Sequence, residues 1–435
     1  MNRAIERWST VLPRGTGAVG VWIALSGALA YAFLAITGRA LGPESASGLS
    51  TLWVVGFLVG QAAGLPVEQE VTRAIASRRA RHEGVGPVVH RAAIAGGVFT
   101  LGIVLAIFAA GSWLVDRLFG GDWLLLVAFA LLFVGTMFEY LVRGVLAGSE
   151  RFRAYGRLIG AEAGVRVVAV AVLAVAGVDG AGPYGLVLAG APFVGVGIAL
   201  IGSERADFGS PGPMSAWSEL TRSLGWLFAG ALFAQGLVNL GPVSVRLLAP
   251  QAGRLTSAFV ASLIVARVPV FLFQAAQAAL LPRLSHHAGG GRAEVLAAET
   301  HALVRALGLL VGVAAGGAAL LGPAVVRIGW GEGFALGARD FALLAAASCV
   351  YLIALTIAQA LVALECPNRA SGAWGLGVAV LALCVVVGDD VLTRVEVGFL
   401  VGTLTSAAAM ALLLRRPMAR ARTSASVPNR AGGDR

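Results

Sequence analysis

A chain of 435 residues that is 58% hydrophobic and only 13% charged, with a mean hydropathy of +0.83, is composed for a bilayer; a water-soluble domain carries about 25% charged residues. The net charge is +10 and every basic residue is arginine, but the arginines flank apolar runs and line no single polar face, so no nucleic-acid partner is expected. Cys349, Cys366 and Cys384 form no CxxC pair and match no zinc spacing, which leaves no metal framework to read from them.

A membrane crossing needs about 20 mostly apolar residues. Twelve segments of that kind follow one another, at roughly 17–37, 48–68, 92–112, 123–145, 158–177, 183–202, 223–246, 254–281, 302–322, 340–362, 372–388 and 396–414. The first follows Arg3, Arg7 and Arg14 and contains Ala28-Leu29-Ala30, which imitates a cleavable signal. Its length and its likeness to the run from Ser223 to Val245 favour a retained helix. The connections are short, and none holds a soluble domain.

Arginine placement predicts the orientation. With the N-terminus inside, about 23 arginines fall on the cytoplasmic side, about 7 on the outer side, and Arg166, Arg267 and Arg305 lie in spans. The expected location is the inner (cytoplasmic) membrane, multi-pass, with both termini in the cytoplasm.

The chain also repeats itself. RALGPESASGL (Arg39 to Leu49) resembles RLLAPQAGRL (Arg246 to Leu255), with Arg39 on Arg246 and Pro43 on Pro250. LVDRLFGGDW (Leu114 to Trp123) resembles VVRIGWGEGF (Val325 to Phe334), and RGVLAGSERFRAYG (Arg143 to Gly156) resembles QALVALECPNRASG (Gln359 to Gly372). The three matches occur in one order, at offsets of about 207, 211 and 216 residues. Such self-similarity fixes architecture before any local reading does. Six spans per half is an even number, so the halves share one orientation and are related by an axis along the membrane normal. The expected fold is all-α and polytopic, with about 12 transmembrane helices in two six-helix lobes. Its parts are an N-terminal lobe over 1–202, a Ser/Gly/Pro-rich cytoplasmic linker over 203–220, a C-terminal lobe over 221–416 and a disordered basic tail over 417–435. His286 and His287, with no further ligand nearby, do not read as a metal site.

Ionisable side chains inside a span cost about 2.5–3.5 kcal/mol at the helix centre on insertion scales, so they tend to face a partner or a water-filled cavity. Glu139 and Arg143 in span four, and Glu162 and Arg166 in span five, stand at i and i+4 with the acid first, the better order for a helical ion pair. They are candidates for ion pairing or coupling. Arg267, two residues before Pro269, has no adjacent acid. Arg166 and Arg267 are therefore candidate anion ligands, because guanidinium forks suit phosphate oxygens. Gln235, Asn239 and Gln274 are candidate substrate contacts; interhelical hydrogen bonds explain Gln235 and Asn239 equally well. Gly residues number 59, and Pro66, Pro192, Pro242 and Pro269 are further positions where helices can bend.

RALGPESASGL after span one, LPVEQEVTRAIA (Leu65 to Ala76), RGVLAGSERFRAYG, and ARVPVFLFQAAQAALLPRLSHH (Ala266 to His287) resemble the polysaccharide branch of the multidrug, oligosaccharidyl-lipid and polysaccharide flippase superfamily. The resemblance runs over nearly the whole chain through loose motifs. It implies two six-helix lobes forming a V that opens alternately to each side. It further implies turnover of an undecaprenyl-pyrophosphate-linked oligosaccharide for cell-surface polysaccharide, with Arg166 and Arg267 as headgroup ligands. Arg39 and Arg246 read as structural loop residues. The implied partners are the lipid-linked sugar, membrane lipid, and glycosyltransferases or a polymerase of the same pathway. A cation-coupled exporter of small amphiphiles is the alternative, set lower because span one holds no acid and Glu68 sits at the edge of span two. A lipid II type flippase is set lower too, because that branch usually has fourteen helices. No enzymatic activity and no cofactor are expected: Asp389-Asp390 is the only acidic pair and its loop is short.

Overall fold

Gly42 and Pro43 interrupt the first long apolar stretch. Gly42 adopts φ 72° and ψ 168°, a backbone state open to glycine at no steric cost, and Pro43 has no N–H to continue the hydrogen-bond ladder. In the computed structural model of the protein, which describes residues 16–201, 206–214, 224–268, 270, 293–364 and 366–426, this point divides helix α1 (Thr16–Ala80) into two arms. Phe33 and Trp53, about ten residues to either side, stack with ring centroids 5.2 Å apart. The arms therefore run back along one another and form two crossings.

The other helices among the described residues are α2 (Gly86–Ala109), α3 (Gly111–Arg117), α4 (Trp123–Gly148), α5 (Phe152–Val175), α6 (Ala181–Leu200), α7 (Ala206–Gly209), α8 (Leu224–Leu248), α9 (Gly253–Ala266), α10 (Ala293–Trp330), α11 (Ala338–Ala363), α12 (Pro367–Val386) and α13 (Val391–Ser426). Among the described residues ten helices are long and apolar enough to cross a membrane. The two arms of α1 count there as one, and α9, described over 14 residues only, stands in the place of span eight. Eleven of the twelve expected crossings are thus described at full length, α9 is the described part of the twelfth, and the protein is a multi-pass membrane protein.

Packing repeats as the sequence does. In the first half α2 packs on α4, α4 and α5 on α6, and α1 on α4, α5 and α6. In the second half α10 packs on α11, α11 and α12 on α13, α9 on α11, and α8 on α12 and α13. With the two arms of α1 equated to α8 and α9, each pair in one half has its counterpart in the other. Two six-helix lobes result, and they meet where α1 faces α8 and α9. The counterparts α2 and α10 are the most lipid-facing, with Val98, Leu101 and Leu105 on one and Leu309, Val313 and Leu320 on the other all exposed.

Small residues set the closest approach. Gly56, Gly60 and Gly64 on α1 face Leu132, Thr136 and Tyr140 on α4, each set at i+4 spacing. A methyl group at Gly64 would lie 2.1 Å from the Tyr140 ring. With lipid as apolar as the side chains, such close backbone packing is a main source of helix association.

Several boundaries differ from the sequence reading. The second arm of α1 continues to Ala80, past the expected end at residue 68, and Pro66 lies inside it without stopping it. Pro192 and Pro242 are likewise accommodated within α6 and α8. Helix α10 starts at Ala293, ahead of the expected start of span nine at 302. The tail expected to be disordered from 417 begins as helix, since α13 runs to Ser426; its Ala- and Arg-rich composition favours helix over coil. The described part of the linker is docked: Ser210 Oγ accepts from Val85 N at 2.9 Å, and the buried Arg78 donates to Pro213 O at 2.9 Å. Gln274, Pro269, His286 and His287 lie outside the described residues.

Candidate functional site

Helix α4 carries Glu139 and Arg143 one turn apart, and α5 carries Glu162 and Arg166 in the same way. The second arm of α1, packed on both helices, brings Glu68 to them. Arg143 Nη2 is 3.1 Å from Glu68 Oε2, and its Nη1 is 3.5 Å from Glu139 Oε1. The Tyr155 hydroxyl accepts from Arg143 Nη2 at 2.8 Å and donates to Glu68 Oε1 at 2.7 Å. The guanidinium also lies over Tyr140, 4.6 Å from the ring centroid, an arrangement the ring quadrupole favours. Glu139 is buried and stands within electrostatic reach of Glu162 and Arg166 as well.

Arg166 continues this array toward the lobe interface. Its Nη1 donates to Glu162 Oε1 at 3.2 Å, and its guanidinium carbon is 5.2 Å from the Trp53 ring and 5.9 Å from that of Phe33. The residue is buried, and its Nε has no hydrogen-bond partner. Three carboxylates and two guanidiniums thus occupy the interior of one lobe. With all five ionised the array carries one negative charge, which a bound proton would balance. Buried charge of this kind is stable only when paired.

A second polar line crosses between the lobes. Gln235 on α8 donates through Nε2 to Gln61 Oε1 on α1 at 2.9 Å. Asn239 Nδ2 donates to Gln235 Oε1 at 3.0 Å, and Arg267, at the end of α9, donates through Nη1 to Asn239 Oδ1 at 3.1 Å. Arg267 Nη2 donates to the Val238 carbonyl, and its Nε is buried and unpaired. The Tyr31 hydroxyl donates to Ile264 O at 2.7 Å and ties the first arm of α1 to α9. Tyr31 and Tyr351 both lie within electrostatic reach of Arg267.

The sequence candidates therefore fall into two groups. Glu139, Arg143, Glu162 and Arg166 come together in the first lobe, while Gln235, Asn239 and Arg267 come together at the interface. Arg305 lies apart and exposed, donating to His301 O at 3.4 Å. Among the described residues no group of three or more potential ligands could hold a metal ion. Sequence reasoning left out Glu68, Tyr155, Trp53 and Phe33. For Glu68 the signal was present: LPVEQE holds an acid, but a span drawn to end at 68 placed it at the membrane edge. It also left out Glu396 on α13, which is fully buried beside Asp340 with no donor to either carboxylate oxygen.

No family model matches the chain. It is similar to an uncharacterized protein of Mycobacterium tuberculosis, Rv1510, with 28% identity over 418 residues, 93% of each chain. Among solved structures it is similar to an inward-facing conformation of a multidrug resistance MATE family transporter of the MOP superfamily, with a TM-score of 0.71 and 14% identity over 94% of this chain and 99% of that one. It is also similar to an outward-facing conformation of a MATE family transporter, with a TM-score of 0.63 and 14% identity over 94% of this chain and 96% of that one. These likenesses establish the fold: an all-α membrane protein of two six-helix lobes related by a pseudo-twofold axis along the membrane normal.

Proposed function

We propose that the protein is a transporter that exports an amphiphilic molecule by rocking its two lobes, driven by uptake of a proton at Glu68, Glu139 and Glu162. The observation that carries this reading is the buried array in the first lobe, whose three carboxylates exceed its two guanidiniums. Ionisable groups at membrane depth are expensive and mark ion pathways by default. Proton binding would neutralise the excess and change how the array holds α1, α4 and α5 together. Because α1 is also the element that meets α8 and α9, a change there reaches the lobe interface directly. The multidrug transporters with this fold support the same reading. The placement of the arginines supports the cytoplasmic membrane with both termini inside.

One observation favours a second reading, a flippase for an undecaprenyl-pyrophosphate-linked oligosaccharide. Arg267 sits between the lobes with an amide and a carbonyl as its partners and an unpaired Nε. A pyrophosphate could recruit that guanidinium, with Gln235, Asn239 and Gln274 contacting the sugar. Arg166 suits this role less well, being held by Glu162 and two aromatic rings.

Proteoliposomes discriminate the two. On the exporter reading, an imposed proton gradient drives efflux of a fluorescent lipophilic cation, and Glu139→Gln and Glu162→Gln each reduce it about tenfold or more, the scale of one lost charge-dependent interaction. Efflux that ignores the proton gradient and both substitutions would refute it. Translocation of a fluorescent polyprenyl-pyrophosphate oligosaccharide that depends on Arg267 would establish the second reading in its place.

A further inference from the structure

The two arginines that open the sequence repeat both reach across the lobe boundary. Arg39, at the end of the first arm of α1, donates through Nε to Gly329 O at 2.9 Å and through Nη2 to Ile328 O. Its repeat partner Arg246, near the end of α8, donates through Nε to Arg117 O at 3.2 Å and through Nη1 to Pro250 O at 3.3 Å. The acceptors are themselves repeat partners, since Arg117 in LVDRLFGGDW aligns with Ile328 in VVRIGWGEGF. Each belongs to the last turn of a helix, α3 in one lobe and α10 in the other. There the final carbonyls have no partner within the helix and the helix dipole favours a cation. After each helix comes a glycine with positive φ, Gly120 at 65° and Gly331 at 113°, also repeat partners. A methyl group at Gly120 would lie 3.3 Å from Arg246 Nη2.

Chance contact does not account for two such bonds, made by equivalent donors to equivalent acceptors, each from one lobe to the other. We infer that Arg39 and Arg246 form a twofold-related clasp that holds the lobes shut at the face bearing Gly42 and Pro250, and that transport requires its release. The clasp sits where other contacts also join the lobes: Gly38 against Trp330, Pro43 against Gly333 and Ser47 against Gly253. A guanidinium bonded to a carbonyl is a charge-assisted pair that forms only when both lobes meet. Opening this face breaks both pairs together, so the two arginines set the balance between the closed and open states.

The inference goes beyond the choice of substrate, and its test needs none. Spin labels on cysteines replacing Ser112 on α3 and Gln251 after α8, both exposed, report the distance between the lobes at the clasp face. Cysteines replacing Glu150 and Asn368, both exposed, report it at the opposite face, with the three native cysteines replaced. In the full-length protein in lipid nanodiscs, the double substitution Arg39→Ala with Arg246→Ala is expected to raise the open population at the clasp face about tenfold or more, the scale of a lost charge-assisted bond. The distance at the opposite face should shorten in the same molecules. Arg39→Lys with Arg246→Lys, which keeps the charge but cannot engage two carbonyls as a fork, should give an intermediate shift and covers the case of an alanine variant that does not fold. Unchanged distributions at both faces in either folded variant would overturn the clasp. So would lengthening at the clasp face with none of the opposite change, which would signal local fraying.

Discussion

Arg143 is the group on which the buried array turns, and its removal gives the sharpest test of how that array is held. Arg143→Leu keeps most of the side-chain volume and deletes the cation that Glu68 and Glu139 share, at 3.1 and 3.5 Å. The two acids are only 12% and 6% exposed at the side chain, so water cannot replace the guanidinium. Breaking one buried pair in this way costs about 3–5 kcal/mol. The Tyr155 hydroxyl still donates to Glu68 at 2.7 Å, which favours the lower end, about 3 kcal/mol. At about 2–4 °C per kcal/mol for a unit the size of one lobe, the apparent Tm falls by about 6–12 °C. Thermal unfolding in detergent, followed by intrinsic fluorescence, measures it. Adding Glu68→Gln and Glu139→Gln to Arg143→Leu should recover most of the loss, because neutral amides need no counter-charge. A fall of less than about 1 °C in Arg143→Leu would refute the reasoning. A triple variant as unstable as the single one would also refute it, by assigning the loss to packing.

Three further outcomes are expected. Gly64→Ala places a methyl group 2.1 Å from Tyr140 and should lower the apparent Tm, with Tyr140→Ala relieving part of the defect; additive losses in the double variant would disprove the contact. Glu396→Gln removes a buried carboxylate whose oxygens lack a hydrogen-bond partner and sets an amide donor beside Asp340, and it should raise the apparent Tm; a decrease would show that the charge at Glu396 is needed. In the turn after α1, hydrogen bonds from Arg81 at 3.0 Å hold the Glu83 carboxyl below its ordinary value. The small stabilisation this implies is present above the unfolded carboxylate range and is lost as pH falls through the lowered folded value. Arg81→Ala should move the Glu83 titration upward by NMR, and an unmoved titration would remove Arg81 as the cause.

Much of the array was legible because its spacing is local. Glu139 with Arg143, and Glu162 with Arg166, are i,i+4 pairs that any helix brings together, and both pairs form. Glu68 was visible as an acid near a span, but its pairing was not, because its partner lies on another helix and its depth depends on how far α1 continues past Pro66. Its position was one of two arguments against cation coupling, beside the lack of an acid in span one, and the helix running on to Ala80 weakens that one. Gln235 and Asn239 were readable as interhelical bonds or as sugar contacts. The bond to Gln61 realises the first without deciding the second.

The chain alone determined the solvent, the number of crossings and the duplication, since each depends on composition or on order along the sequence. The bilayer imposes about 20 apolar residues per helix, and a repeat is visible without coordinates. Only the tertiary structure decided which charges meet. The Arg39 and Arg246 bonds join residues 289 or more and 129 positions apart, and the Glu68 cluster spans three helices. Such contacts follow from how helices pack, and packing depends on the small-residue faces of α1 and α4 in three dimensions, which no one-dimensional pattern fixes.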